Sequence, residues 1–164
     1  MVFMKKIIAV ICISFLFMNC SSNDDGKIVD TTIFSTILVN GVAFVPDFLK
    51  LEPSITGTNE NLTFNLMDIA NGQSLIVSIQ YPENTANSPN GIYDFGIGET
   101  GTMLFASGSF TSNDFIYSLA GYTVQVTKLL GNNKYKLNFQ NVEAVEINTG
   151  NMIIISGTCE GNFN

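Results

Sequence analysis

Between Thr31 and the C-terminus several segments alternate apolar and polar residues at period two, and no stretch sustains the longer period of an amphipathic helix. Leu75, Val77, Ile79 and Tyr81 alternate with Ser74, Ser78 and Gln80, with Ile76 the one apolar residue on the polar side. Tyr122, Val124 and Val126 alternate with Thr123, Gln125 and Thr127. Tyr135, Leu137 and Phe139 alternate with Lys134, Lys136, Asn138 and Gln140. Successive strand side chains point to opposite faces, so each run predicts a strand with one buried and one wet face. Such strands bury their apolar faces only by pairing with a second layer or by closing on themselves.

Turn residues fall between the runs. Asn40-Gly41, Asn71-Gly72, Gly131-Asn132-Asn133 and Thr149-Gly150-Asn151 supply residues that accept the positive φ of tight hairpins. They predict four hairpins: 32–39 with 42–48, 62–70 with 73–81, 121–130 with 134–147, and the last of these with 152–163. Segments 91–95, 103–110 and 115–119 fill the middle. The expected fold is all-β, an antiparallel β-sandwich or a closed or partly open, lipocalin-like β-barrel of about nine or ten strands. Pro82 to Asn90, with its prolines and asparagines, is the longest loop and a candidate binding loop.

The N-terminal region obeys a different rule. Lys5 and Lys6 precede an apolar run from Ile7 to Met18, broken only by Cys12 and Ser14. That run is shorter than the ~20 residues a membrane-spanning helix needs, and it has the order of a secretion signal. Residues 1–19 are therefore expected to be a lipoprotein signal peptide, and Cys20, whose thiol would accept a diacylglyceryl group, the lipidated first residue of the mature protein. Phe17-Met18-Asn19-Cys20 keeps the bulky apolar residue and the cysteine of such a site but not its small residues. An ordinary cleaved secretory peptide and an uncleaved anchor are the alternatives. Residues 20–30, with Ser21, Ser22, Asn23, Asp24, Asp25 and Gly26, have the polar composition of a flexible acidic tether. Residues 31–164 are then a single β-domain. The expected location is the outer membrane, lipid-anchored and exposed at the cell surface, with a periplasm-facing domain as the alternative.

Charge and missing residue types narrow the function. Removing Lys5 and Lys6 leaves five lysines against 14 acids, a net charge of −9, which argues against binding nucleic acid. The chain has no His, Trp or Arg. Without His there is no Ser-His-Asp or Cys-His catalysis and no imidazole for zinc. Without Arg there is no bidentate clamp for phosphate or carboxylate. The acids are scattered, and no Ser-x-x-Lys occurs. Cys159 shares parity with Ile153, Ile155 and Phe163, which places it in the core as a small hydrophobe. No catalytic residue, no enzyme activity, no metal and no cofactor is expected. Calcium is the one metal weighed. No Asp-x-Asp-x-Asp-Gly loop is present, and Asp94, Glu99 and Asp114 are the acids nearest Gly-rich or Asn-rich turns. Tyr81, Tyr93, Tyr117 and Tyr122 stand at strand ends and are the candidate ligand-contacting residues.

Residues Phe34–Phe44, Asn90–Gly96, Gly121–Lys128 and Met152–Cys159 together resemble an uncharacterised family of Bacteroidota lipoproteins, a domain of unknown function. The acidic pair Asp24-Asp25 close to Cys20 also resembles the surface-export signal of such lipoproteins. The chain departs from the family at Cys159, where an aromatic residue would be expected, and in its few basic residues. The resemblance implies an address and a fold, not a mechanism. The function expected is a surface-displayed binding or adhesion module, held to the membrane through Cys20, with a glycan, a peptide or an envelope protein as partner. The alternative is a lipocalin-like carrier of a small apolar ligand.

Overall fold

The computed structural model describes residues 32–57, 59–82, 89–96 and 104–164, so the signal, the tether and Cys20 lie outside the described residues. The strands are β1 (Phe34–Ser35), β2 (Leu38–Val39), β3 (Val42–Ala43), β4 (Phe48–Thr56), β5 (Asn59–Asp68), β6 (Gln73–Pro82), β7 (Gly91–Asp94), β8 (Leu104–Ser112), β9 (Phe115–Lys128), β10 (Lys134–Glu146) and β11 (Met152–Asn162). They form one sheet in the order β3-β2-β11-β10-β9-β7-β8-β6-β5-β4, with β1 on β11 and a second β8–β9 pairing. Among the described residues every pairing is antiparallel except β7–β8, where Tyr93 faces Leu104 in a parallel register. The all-β expectation holds, in the form of a strongly curled half-barrel.

The curl has a local cause. In β9 and β10 the register slips between Gln140 and Glu143 and again at Ala144, where Tyr122 (φ 63°) and Asn141 (φ 54°) adopt left-handed backbone. Bulges of this kind bend a strand and sharpen its twist. They also correct the sequence reading of Tyr122. Alternation with Val124 and Val126 placed its ring inside, but the bulge turns it out and leaves it 59 % exposed. Expected segments 115–119 and 121–130 are likewise one bent strand, β9.

At the far edges the sheet meets itself. The Leu51 amide donates to the Asn164 carbonyl at 3.1 Å, and the Asn164 amide to the Leu49 carbonyl at 3.2 Å, joining β4 to the tail of β11. β4 is the strand that pattern reading missed. The expected 42–48 strand stops at Ala43, and Phe48 instead opens β4, which pairs with β5 through the Gly57 turn. Pro53 sits inside β4, a residue tolerated because β4 is last in the order and one of its sides lacks a continuous partner.

Inward residues from distant strands fill the interior. Phe64 of β5, Tyr135 of β10 and Phe163 after β11 pack edge to face, with ring centroids 5.1 Å (Phe64–Tyr135), 5.2 Å (Phe64–Phe163) and 6.0 Å (Tyr135–Phe163) apart. Leu75, Val77, Ile79, Leu137 and Phe139 are buried as their alternation requires. Each such side chain contributes roughly 1.5–3 kcal/mol by leaving water, so the core rather than any disulfide holds the fold; Cys159 is a free thiol within it.

Candidate functional site

Four connections gather at one end of the half-barrel: the Asn40-Gly41 turn, the turn after Asp68, the Asn113-Asp114 turn and the segment from Ile147 to Asn151. Register ties them together. Asp68 pairs with Gln73, Gln73 with Ser112, Ser112 with Phe115, and Tyr117 with Glu146. The Ile147 amide donates to the Ile116 carbonyl at 3.1 Å, and the Asn40 amide to the Ile154 carbonyl at 2.8 Å.

This end opens into a cleft of about 250 Å³. Its walls are Val39, Val42 and Ala43 of the first hairpin, Phe110 and Phe115 from either side of the β8–β9 turn, and Tyr117 and Ile153. Phe44 closes the floor, edge-on to Phe110 at 5.8 Å, and Tyr117 leans on Phe110 at 6.2 Å. Of the polar lining groups, Gln73 spends its Nε2 on the Ser112 Oγ at 3.1 Å, and the lining as a whole is mainly apolar. Val42 (71 %) and Phe115 (52 %) of its lining are exposed, and Ile69 (67 %) and Ile147 (61 %) stand exposed on the turns at the same end, where polar residues are ordinary.

Carboxylates shape that end. Asp47 accepts the Ile69 amide at 3.2 Å, and Asp68 accepts both the backbone amide and the Nδ2 of Asn71, at 3.1 and 2.8 Å. Glu146, only 2 % exposed, accepts the amides of Asn148 (3.0 Å) and Thr149 (2.8 Å) and the Thr149 hydroxyl. Side-chain oxygens that take up turn amides in this way fix the turn. The Thr149 hydroxyl in particular holds the Glu146 carboxyl below its ordinary value against the opposing effect of burial, and the two amides add to it. The isoleucines at 69 and 147 are thus presented on turns braced by buried acids.

The four candidate tyrosines do not share a face. Tyr81 is buried and donates to the Glu60 carboxylate at 2.7 Å, and burial together with that carboxylate raises its pKa. Tyr93 is buried and donates to the Pro89 carbonyl at 2.8 Å, its pKa pushed up to about 12 by burial. Tyr117 lines the cleft, and Tyr122 stands exposed on the β9 bulge. Asp94 turns its Oδ1 to the Gly96 amide at 2.6 Å, and Asp114 is exposed in the β8–β9 turn. Glu99, like Cys20, lies outside the described residues, as do residues 83–88 of the long loop. Among the described residues no group of three or more His, Cys, Asp or Glu gathers around a point where a metal could sit. Sequence reading passed over Val42, Ile69, Phe115 and Ile147. The available signal was their position, bulky apolar residues adjoining Asn- and Gly-rich turns.

A second groove of about 400 Å³ lies on the β4–β5 hairpin between Pro53, Ile55 and Leu62. It is built from two strands only and contains no aromatic residue. No family model, curated protein or solved structure matches the chain.

Proposed function

We propose that this protein is a lipid-anchored binding module of the bacterial outer membrane, without catalytic activity, that engages an envelope or extracellular partner through the apolar cleft at the end of its half-barrel. The observation that carries the reading is the convergence of Phe110, Phe115, Tyr117 and Ile153 on one open cleft, with exposed apolar residues on the turns at the same end. Aromatic side chains with apolar bodies in a concave site are what partners bind against. The missing histidine and arginine support a role in binding over one in reaction, and the signal-like N-terminus with Cys20 supports the anchor. The carrier alternative draws no support from a core in which Phe64, Tyr135 and Phe163 occupy the space between facing strands.

Two arms test the reading in cells. Metabolic labelling with an alkyne fatty acid should give an acylated, membrane-bound protein, and Cys20→Ala should lose both the label and the membrane fraction. A photo-crosslinking residue in place of Phe115 should trap a discrete partner. Persistence of acylation in Cys20→Ala would remove the anchor, and failure to trap any partner from position 115 would remove the cleft.

A further inference from the structure

Polarity along the half-barrel adds to the cleft. β1 pairs antiparallel with the tail of β11, Phe34 facing Glu160 and Ser35 facing Cys159, so the chain upstream of Phe34 leaves past the C-terminal end of β11. Thr32, with its carbonyl beside Gly161, stands there, at the end opposite the cleft. β11, with 11 residues, separates the two ends by about 35 Å.

Charge follows the same axis. Asp47, Asp68, Asp114 and Glu146 all stand at the cleft end, while Lys128, Lys134 and Lys136 stand at the other together with Glu60 and Glu160, the latter 3.6 Å from Lys134. Lys50, near the start of β4, is paired with Glu52 at 2.6 Å. Asp47 and Asp114 are exposed, so the surface beside the mouth presents negative charge, and its walls are mainly apolar.

We infer that the mouth receives a bulky apolar side chain carried on a lysine- or arginine-rich segment of a partner polypeptide. This rests on the binding reading above and adds the chemistry of the partner. An anionic lipid surface does not fit, because it would oppose the acids Asp47 and Asp114 at the mouth. A second copy does not fit either, because mouth-to-mouth docking would oppose acid to acid. Complementary charge of this kind steers the approach and fixes the choice of partner, while the apolar contact supplies most of the hold.

The test uses the full chain in nonionic micelles and fluorescence polarisation of two synthetic octapeptides. Both carry a Phe-Leu centre; one is flanked by lysines and the other by glutamates. The lysine peptide should bind roughly tenfold or more tightly than its twin. That preference should shrink as ionic strength rises from about 0.05 to about 0.5 M, because the Debye length shortens. Phe115→Asp should abolish binding, Asp114→Lys should narrow the preference, and Leu130→Asp, at the opposite end, should change neither. Equal binding of both peptides overturns the basic-partner inference while leaving the cleft as a binding site. No binding of either peptide, with a partner still trapped from position 115, overturns this inference alone. No binding and no trapped partner overturns both.

Discussion

Phe64 on β5 packs edge-on against Phe163, just beyond β11, with ring centroids 5.2 Å apart, although the two strands lie far apart in the order of the sheet. That contact, next to the Leu49–Asn164–Leu51 backbone seam, is where the half-barrel is pinned shut. Phe163→Ala should cost about 3–5 kcal/mol in urea unfolding. Phe64→Ala should cost a similar amount, and the double variant less than the sum by about 1 kcal/mol. Strict additivity would mean that the two rings stabilise separate regions.

Gly157 of β11 has φ 104°, and a Cβ there would stand 2.2 Å from the Thr36 carbonyl oxygen. β1 and β2 meet β11 on either side of this residue. Gly157→Ala should destabilise by about 2 kcal/mol or more, since left-handed backbone and a backbone clash both penalise it. Hydrogen exchange should rise first in residues 34–43; a uniform rise across the sheet would contradict a local role.

These two sites mark how far the sequence could be read. Alternation sufficed for β6 and the first part of β10, where regular pleating sends Leu75, Val77, Ile79, Tyr135, Leu137 and Phe139 inward. It failed at Tyr122, because period two carries no information about a bulge that reverses a side chain. It failed again at β4, because Pro53 reads as a strand breaker unless the strand is known to be an edge. The cleft was less legible still. Its residues come from six strands and their connections, and only tertiary register brings Val42, Gln73, Phe115 and Ile153 together.

Glu146 supplies a pH test. Its carboxyl is held below the ordinary value of 4.5 chiefly by the Thr149 hydroxyl. The folded carboxyl is then the stronger acid, so its contribution to stability is full above pH 4.5 and is lost as pH falls through the lowered pKa. Glu146→Gln should lower the thermal midpoint near pH 7, and the gap to wild type should narrow toward pH 3. An equal gap at both pH values would show that the carboxylate charge plays no part.

Cys159 is fully buried, and burial, with a smaller effect of Glu160, pushes its thiol up to about 12. The folded state favours the neutral thiol, so its contribution is present below the ordinary value of 9.0 and declines as pH rises from there toward 12. Alkylation of Cys159 at pH 8, followed by peptide mass spectrometry, should be slower than in denaturant by roughly a hundredfold or more. Comparable rates would place the thiol outside the core.

The central claim, that the protein acts through its mouth, is tested most directly by photo-crosslinking on intact cells from two exposed positions. One is 115, in the mouth; the other is 130, where Leu130 is 99 % exposed at the opposite end. The account predicts a discrete adduct from 115 and none from 130, with the 115 adduct lost when Val42→Asp is added. Adducts of equal yield from both positions, or none from 115, would contradict it.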